Sequence, residues 1–158
     1  MSIIVGMDAA AHPEPIGLLV SRTGRTLSRS FDAALGERGG SIATWLILLS
    51  LVGDAHGSQR SIAADVGVEG PTLTHHLNRM EADGLVTRAR DPQNRRAHQV
   101  ALTDHGRGVF DVLLIAVVGF DERLRAGFSD DELTTLRRLL ARLAANAAST
   151  EPEIKESP

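Results

Sequence analysis

Residues 59–103 limit the possible folds of this chain more than any other segment. They begin with a short helical pattern that ends at a glycine. Within it, Ile62, Ala63 and Val66 recur at helical spacing. Gly67 follows at the position where a residue in the left-handed conformation ends a helix and turns the chain sharply. The pattern predicts a short entry helix and a tight turn.

A second helical pattern follows directly, over residues 70–84. It opens on Gly-Pro, where the fixed φ of proline suits a first helical position, and it stops at Asp-Gly. Leu73, Leu77 and Met80 recur at i, i+4 and i+7 and predict one buried stripe. A short helix with a polar opposite face suits the major groove of DNA. That face holds Thr72, Thr74, His75, His76, Asn78 and Arg79.

The pattern then changes from helical to alternating, which predicts two short strands over residues 85–90 and 97–103. Between them, residues 91–96 read DPQNRR, which is typical of a turn and ends on the adjacent Arg95 and Arg96. A guanidinium at such a tip donates to phosphate in a bidentate manner or enters a narrow minor groove. We call this predicted hairpin, residues 85–103, the wing.

The order of helix, turn, second helix and basic hairpin resembles the DNA-binding core of the multiple-antibiotic-resistance regulator (MarR) family. Asn94 departs from the family pattern, which usually carries there an aspartate that braces the wing arginine. The resemblance implies a mainly α protein with a small β-hairpin (α+β), a winged helix-turn-helix joined to a helical dimerisation region. The residues that carry it are Ala63, Val66, Gly67, Val68, Pro71 to Thr74, Leu77, Met80, Glu81, Gly84 to Val86, Arg88, Asp91, Pro92, Arg95, Arg96, Val100, Leu102, Thr103 and Gly106.

Apolar patterns on the N-terminal side of this core predict two helices. Residues 15–35 carry one apolar stripe, after which Ser41 is placed to cap a second helix that ends at Gly53. The second helix is apolar on more than one side, so we expect it to be central and buried. The stripe of the first helix is Ile16, Val20, Leu27, Phe31 and Leu35, and the second carries Ile42, Trp45, Leu46, Leu49 and Val52.

On the C-terminal side, Thr103-Asp104 is placed to cap a long helix that ends at Phe120 or extends to Leu124. Ser129 and Glu132 then form a predicted capping box for a last helix. Candidate core positions of the long helix are Val109, Val112, Leu113, Ala116 and Phe120, and the last helix carries Leu133, Leu136, Leu140 and Leu143.

We therefore predict a single domain over residues 1–158, with a DNA-binding lobe at 58–103 and a helical dimerisation region at 15–52 and 104–147. The polar residues 148–158 hold two prolines and predict a flexible tail. The flanking helices carry more apolar surface than one small protomer buries, which favours a homodimer, as the resemblance also implies. A two-fold pair of recognition helices reads an inverted repeat.

Charge is distributed unevenly along the chain, whose formal net charge is −3. Residues 60–107 hold seven arginines against six acids, whereas residues 108–158 hold six basic groups against nine acids. A local positive field is compatible with DNA binding, which salt should weaken through the release of counterions.

The candidate DNA contacts carry open alternatives. Arg88 contacts phosphate or pairs with Asp91, and Arg79 contacts phosphate or pairs with Glu81 or Asp83. Ser61 begins the entry helix or donates to a phosphate. The full predicted set is Ser61, Pro71, Thr72, Thr74, His75, His76, Asn78, Arg79, Arg88, Arg95 and Arg96.

The resemblance also implies a small effector, often phenolic or otherwise aromatic, that binds between the dimer helices and the DNA-binding lobe. Arg22, Trp45 and His56 are the candidate effector residues, with Arg25 beside them, and core packing is the alternative for Trp45. The chain has no cysteine, which excludes a thiol switch, and its six scattered histidines do not predict a metal site or a cofactor.

Two other classes of function compete with a DNA-binding regulator. An enzyme is disfavoured because the chain holds neither GxGxxG nor GxxxxGK[ST], and its loop glycines lie in a plain inter-helix connection. A winged helix used only for protein interaction has no need of paired wing arginines. The chain has no 18-residue apolar run and no signal-like start, so we expect it to be cytoplasmic and without membrane partners. Together with the resemblance, these observations predict a ligand-responsive homodimeric repressor.

Overall fold

Helices form most of the part of this protein that its computed structural model describes, residues 13–53, 56–90 and 98–149. Six helices and three short strands lie within those ranges. In chain order they are α1 (Ile16–Gly36), α2 (Ile42–Gly53), β1 (His56–Ser58), α3 (Gln59–Val66), α4 (Gly70–Ala82), β2 (Val86–Arg90), β3 (His98–Leu102), α5 (Asp104–Arg125) and α6 (Asp130–Ala148). The predicted α+β class is confirmed.

The three strands form one antiparallel sheet in the order β1-β3-β2. Strands β2 and β3 are the predicted wing strands, and Val86 lies opposite Leu102 in their register. Strand β1 was not predicted. It is three residues long, His56–Ser58, and pairs along the other edge of β3. Its sequence, HGS, has no apolar alternation, so its extended form follows from hydrogen bonding to β3 rather than from local preference.

Side-chain and glycine signals end and begin the helices where the sequence placed them. The Ser58 hydroxyl accepts from the backbone N–H of Ser61 at 3.1 Å and so caps α3, which ends at Gly67 with a φ of 72°. The Ser41 hydroxyl accepts from the Thr44 N–H at 3.2 Å at the start of α2. The predicted capping box of Ser129 and Glu132 is present at the start of α6.

The hydrophobic core joins α2, α3, α4, the sheet and α5. On α4, the predicted stripe of Leu73, Leu77 and Met80 is buried. Central α2 contributes more core residues than any other described element, as its two-sided apolar pattern predicted. The core cluster comprises Leu35, Trp45, Ile47, Leu48, Leu51, Ile62, Leu73, Leu77, Met80, Leu85, Val86, Val100, Phe110 and Leu113.

One core prediction in α5 was wrong within one protomer. Val112 is 42% exposed, whereas its neighbour Phe110 is buried beside Leu113. Helix α5 is apolar around more of its circumference than one protomer covers, so spacing alone did not show which side faces the core. Other residues of the apolar patterns are also exposed, namely Ile16, Val20, Leu27, Leu49, Leu136 and Leu140.

The chain divides into two compact units after Phe120. The first holds α1 through most of α5, including the sheet, and the second holds the end of α5 and α6. None of the helices within the described ranges is both long and apolar enough to cross a membrane.

Candidate nucleic-acid interface

The turn between α3 and α4 sets the orientation of one helix relative to the other. Gly67 adopts the left-handed conformation. The backbone N–H groups of Gly67 and Val68 both donate to the Ala63 carbonyl, at 2.9 and 3.1 Å. Helix α4 then starts after Glu69, with Pro71 in its first turn, where the missing N–H costs no hydrogen bond. We refer to α4 as the recognition helix.

The recognition helix presents its polar residues outward because its apolar stripe is buried. Pro71, Thr72, Thr74, His75, Asn78 and Arg79 are all exposed, as is Ser61 on α3. His76 is half-buried, and its ring lies edge-on to His75 with centroids 5.9 Å apart. The structure therefore brings the predicted helix contacts onto one accessible face, with His76 at its margin.

Two of the predicted hydroxyl contacts already donate within the protein. The Ser61 hydroxyl donates to the Ser58 carbonyl at 2.9 Å, and the Thr74 hydroxyl donates to the Gly70 carbonyl at 2.9 Å. Each oxygen can still accept a hydrogen bond, and Thr74 keeps a free methyl group. In this geometry both residues are suited to accept from a base or to make apolar contact, rather than to donate to phosphate.

Arg88 on β2 is bound to Glu81 on the recognition helix. The guanidinium Nε donates to Glu81 Oε2 at 3.0 Å, Nη2 donates to the same oxygen, and the backbone N–H of Arg88 donates to Oε1 at 3.2 Å. The side-chain hydrogen bond from Arg88 is the main reason that the pKa of Glu81 is lowered. The sequence analysis offered Asp91 as the partner of Arg88 within the protein, and offered Glu81 or Asp83 to Arg79, so the pairing of Arg88 with Glu81 was missed.

The turn after the recognition helix is tied to the start of α5. Gly84 has a φ of 70°, and the Leu85 N–H donates to the Met80 carbonyl at 2.8 Å. The Thr103 hydroxyl donates to the Gly84 carbonyl at 2.7 Å and accepts from the Gly106 N–H at 2.9 Å. A Cβ on Gly106 would overlap the carbonyl oxygen of Leu85. Sequence reasoning assigned Thr103 its capping role but missed this joint, since it depends on contacts between distant residues.

The wing tip lies outside the described residues. This applies to Arg95 and Arg96, to Asn94 and Asp91, and to the side chain of His56. Their predicted roles therefore stay predictions.

A cavity of about 490 Å³ lies behind the recognition helix, within the first unit. The N-terminal side of α2 contributes Ser41 and Thr44, and α5 contributes His105. The recognition helix lines the cavity with His76, Arg79 and Asp83. These three polar residues of the recognition helix can therefore be reached by a small molecule in the cavity.

The candidate effector residues lie elsewhere. Arg22 on α1 is exposed and pairs with Glu14 at 2.9 Å. Trp45 is only 6% exposed and stacks on Phe110, in accord with the core alternative left open for it. Neither residue is part of the cavity lining.

A helix-turn-helix followed by an antiparallel wing defines the class as a winged helix-turn-helix protein. Residues 41–98 match the sequence model of the MarR family. The match covers less than half of the chain and shows that this central segment is similar to that family.

Proteins of known name are similar to this chain over longer stretches. The chain is 31% identical over 94 residues to YdgJ of Bacillus subtilis (strain 168), an uncharacterized HTH-type transcriptional regulator. That match spans 60% of this chain and 57% of YdgJ. CouR of Rhodococcus jostii RHA1, a transcriptional repressor solved with a 23-mer DNA duplex, is 27% identical with a TM-score of 0.76, over 82% of this chain and 92% of CouR. PcaV of Streptomyces coelicolor, a transcriptional regulator solved with its natural ligand, is 26% identical with a TM-score of 0.75, over 91% of this chain and 99% of PcaV.

Proposed function

We propose that this protein is a homodimeric, sequence-specific regulator that binds an inverted repeat in double-stranded DNA and is released by a small-molecule effector. The observation that carries the proposal is the recognition helix, which exposes Thr72, His75 and Asn78 on one face while its apolar stripe is buried. The similarity to CouR, which was solved with a DNA duplex, supports the same use of this face. Repression is the proposed sign of regulation, since CouR is a repressor.

The proposed DNA contacts are of two kinds: contacts to base edges, which read the sequence, and contacts to phosphate, which position the protein on the duplex. Residues near the start of a recognition helix reach base edges, so Thr72, Thr74 and His75 are the proposed readers. Arg79 and Asn78 lie further along the helix, and we propose that they contact phosphate together with Arg95 and Arg96.

Unpartnered apolar side chains support the dimer. On α5, Ile115 is 59% exposed and Val118 is 48% exposed, and on α1, Ile16 and Leu18 are 56% and 53% exposed. Where such side chains form a patch, the patch marks an interaction site in a soluble protein. A two-fold dimer would place two recognition helices one DNA turn apart, which is why we expect an inverted repeat.

The cavity behind the recognition helix is the proposed effector site. An occupant in contact with His76 and Arg79 would touch the helix that reads DNA, so binding there and binding of DNA would be coupled. Hydroxyl, imidazole and guanidinium groups around the cavity suit a small aromatic acid or phenol. The ligand-bound structure of PcaV supports effector control in a similar fold.

Selection from a pool of random duplexes tests DNA reading. The purified protein is incubated with the pool at moderate salt without added ligand, and the retained duplexes are sequenced. Enrichment of an inverted repeat is the expected result. A folded dimer that enriches nothing would favour a winged helix used for protein interaction.

The dimer has its own test. Ile115→Glu places a charge within the proposed interface and should shift the mass measured by light scattering from dimer to monomer. Arg107→Glu changes an exposed residue of the same helix and should leave the dimer intact. A dimer that survives Ile115→Glu would place the interface elsewhere.

A further inference from the structure

We propose that Glu81 and Arg88 form a clamp that positions the wing on the recognition helix, so that Arg88 acts on DNA through the wing and not by touching phosphate. The proposal rests on the proposed DNA-binding function and assigns two positioning residues to it.

The clamp covers an open strand edge. In an antiparallel ladder, residues alternate between pointing their N–H toward the neighbouring strand and away from it. Arg88 lies opposite Val100 of β3, yet its N–H donates to Glu81 Oε1 at 3.2 Å. This N–H therefore points away from β3, on the outer edge of β2, and Glu81 supplies its acceptor.

The same carboxylate also fixes the direction of the Arg88 side chain. Nε and Nη2 both donate to Glu81 Oε2, so one acid receives the backbone and the guanidinium of one arginine. The Arg88 side chain is only 20% exposed. A guanidinium held in this way would have to leave its partner to reach phosphate, and that would also release the N–H of β2.

The clamp joins two elements that are otherwise linked by a short turn. Glu81 lies in the last turn of the recognition helix, one residue after the buried Met80, and Arg88 lies in the middle of β2. A hydrogen-bonded ion pair across the turn sets the angle at which β2 leaves the helix. Because β2 and β3 carry the wing tip, this angle decides whether the tip and the recognition helix engage one duplex together.

The clamp and simple electrostatics predict opposite effects on DNA affinity when Glu81 is removed. Glu81 is an acid on the proposed DNA-binding side, and removal of an acid there should raise affinity for a polyanion. If Glu81 positions the wing, its removal should instead lower the affinity. The comparison variant is Glu69→Gln, which removes an exposed acid just before the same helix.

The experiment measures operator affinity and its salt dependence for Glu81→Gln, Arg88→Gln, the double variant and the charge exchange Glu81→Arg with Arg88→Glu. The operator is the duplex recovered from random selection. We expect each single variant to lose about fivefold to tenfold in affinity, with the double variant no weaker than either, since coupled partners are not additive. The charge exchange should recover only part of the loss, because an arginine at position 81 can pair with a glutamate at position 88 but cannot accept the backbone N–H of that residue. Glu69→Gln should bind as well as or better than the unchanged protein.

Two results would overturn the clamp. One is tighter binding by Glu81→Gln, as for Glu69→Gln. The other is additive losses in which only Arg88→Gln reduces the log-log salt slope, by about 0.9, since that marks a direct phosphate contact.

A measurement without DNA separates the clamp from the proposed function. Hydrogen exchange should show that Glu81→Ala, which removes the acceptor, deprotects the amide of Arg88, whose N–H donates to Glu81 in the free protein. If the unchanged protein binds no duplex, the DNA-binding function and this use of the clamp both fail. The exchange result then still decides whether the pair holds β2, and unchanged protection would overturn that as well.

Discussion

The indole of Trp45 lies parallel to the ring of Phe110, with centroids 4.9 Å apart and an angle of 6° between the planes. Trp45 is on α2 and Phe110 is on α5, so the stack joins the central helix to the long helix that follows the wing. Trp45 is also the single tryptophan of the chain, which makes its fluorescence a direct report on this contact.

Phe110→Ala should strongly destabilise the fold. Loss of a buried phenyl ring removes burial and leaves a cavity beside the indole, at a cost of about 3–5 kcal/mol in the free energy of unfolding. Urea unfolding followed by Trp45 fluorescence measures it, at one fixed protein concentration because association also stabilises. Asp111→Asn, at the adjacent exposed position, should change stability by less than about 0.5 kcal/mol. A loss below about 1 kcal/mol for Phe110→Ala would mean that the stack contributes little.

Gly106 and Gly108 provide a matched pair on α5. A Cβ on Gly106 would overlap the Leu85 carbonyl oxygen, whereas a Cβ on Gly108 meets no atom within 4 Å. Gly106→Ala should therefore destabilise by about 1–3 kcal/mol through overpacking. Gly108→Ala should stabilise by about 0.5–1 kcal/mol, because alanine loses less backbone entropy in a helix. Thermal unfolding of both variants measures the difference, and equal effects would contradict the close approach of α5 to Leu85.

Glu132 should titrate below the usual range for a glutamate. The backbone N–H of Ser129 donates to its carboxylate at 2.8 Å and the Ser129 hydroxyl does so at 2.9 Å, which lowers the pKa of Glu132. A lowered folded pKa means that the contribution to stability is present above the unfolded value of about 4.3 and is lost as the pH falls through the folded value.

A carboxyl carbon NMR titration of the folded protein measures that pKa. Glu132→Gln identifies the resonance, since it removes the titrating group while keeping an amide oxygen at the same position. A midpoint at or above 4.3 would show that the capping box does not persist in solution.

Arg96→Ala should weaken binding to every duplex and reduce the log-log salt slope by about 0.9, because one phosphate contact is lost. The prediction comes from the wing sequence alone. Fluorescence anisotropy at a series of salt concentrations measures both quantities. Unchanged affinity and slope would remove the wing tip from the mechanism.

His75→Ala should flatten the preference among operator variants while it leaves the salt slope unchanged. His75 is exposed near the start of the recognition helix, where side chains reach base edges. Competition among duplexes with single base changes measures the preference. Asn78→Ala, proposed to affect a phosphate contact, is the comparison, and a uniform loss for His75→Ala would count against base reading.

Local sequence signals predicted what local interactions determine. The stripe of Leu73, Leu77 and Met80, the left-handed Gly67 and the capping box at Ser129 each lie within one or two helical turns, so the residues themselves carry the information. The same holds for the two wing strands, whose alternation marks them without reference to the rest of the chain. The polar face of the recognition helix followed from this stripe, because a buried side of a helix also defines the opposite side.

Local sequence patterns did not predict contacts between segments that are distant in the chain. Strand β1 is extended because β3 offers it an edge, Phe110 rather than Val112 faces Trp45 because of how α5 lies against α2, and Glu81 binds Arg88 across a turn. The order and type of the main elements, including the helix-turn-helix and its exposed polar residues, could be predicted from the sequence because they depend on spacing and on a few special residues such as glycine and proline. The buried side of each long helix and the acid that binds Arg88 depend instead on how separate elements pack together, and residue spacing carries no information about that packing.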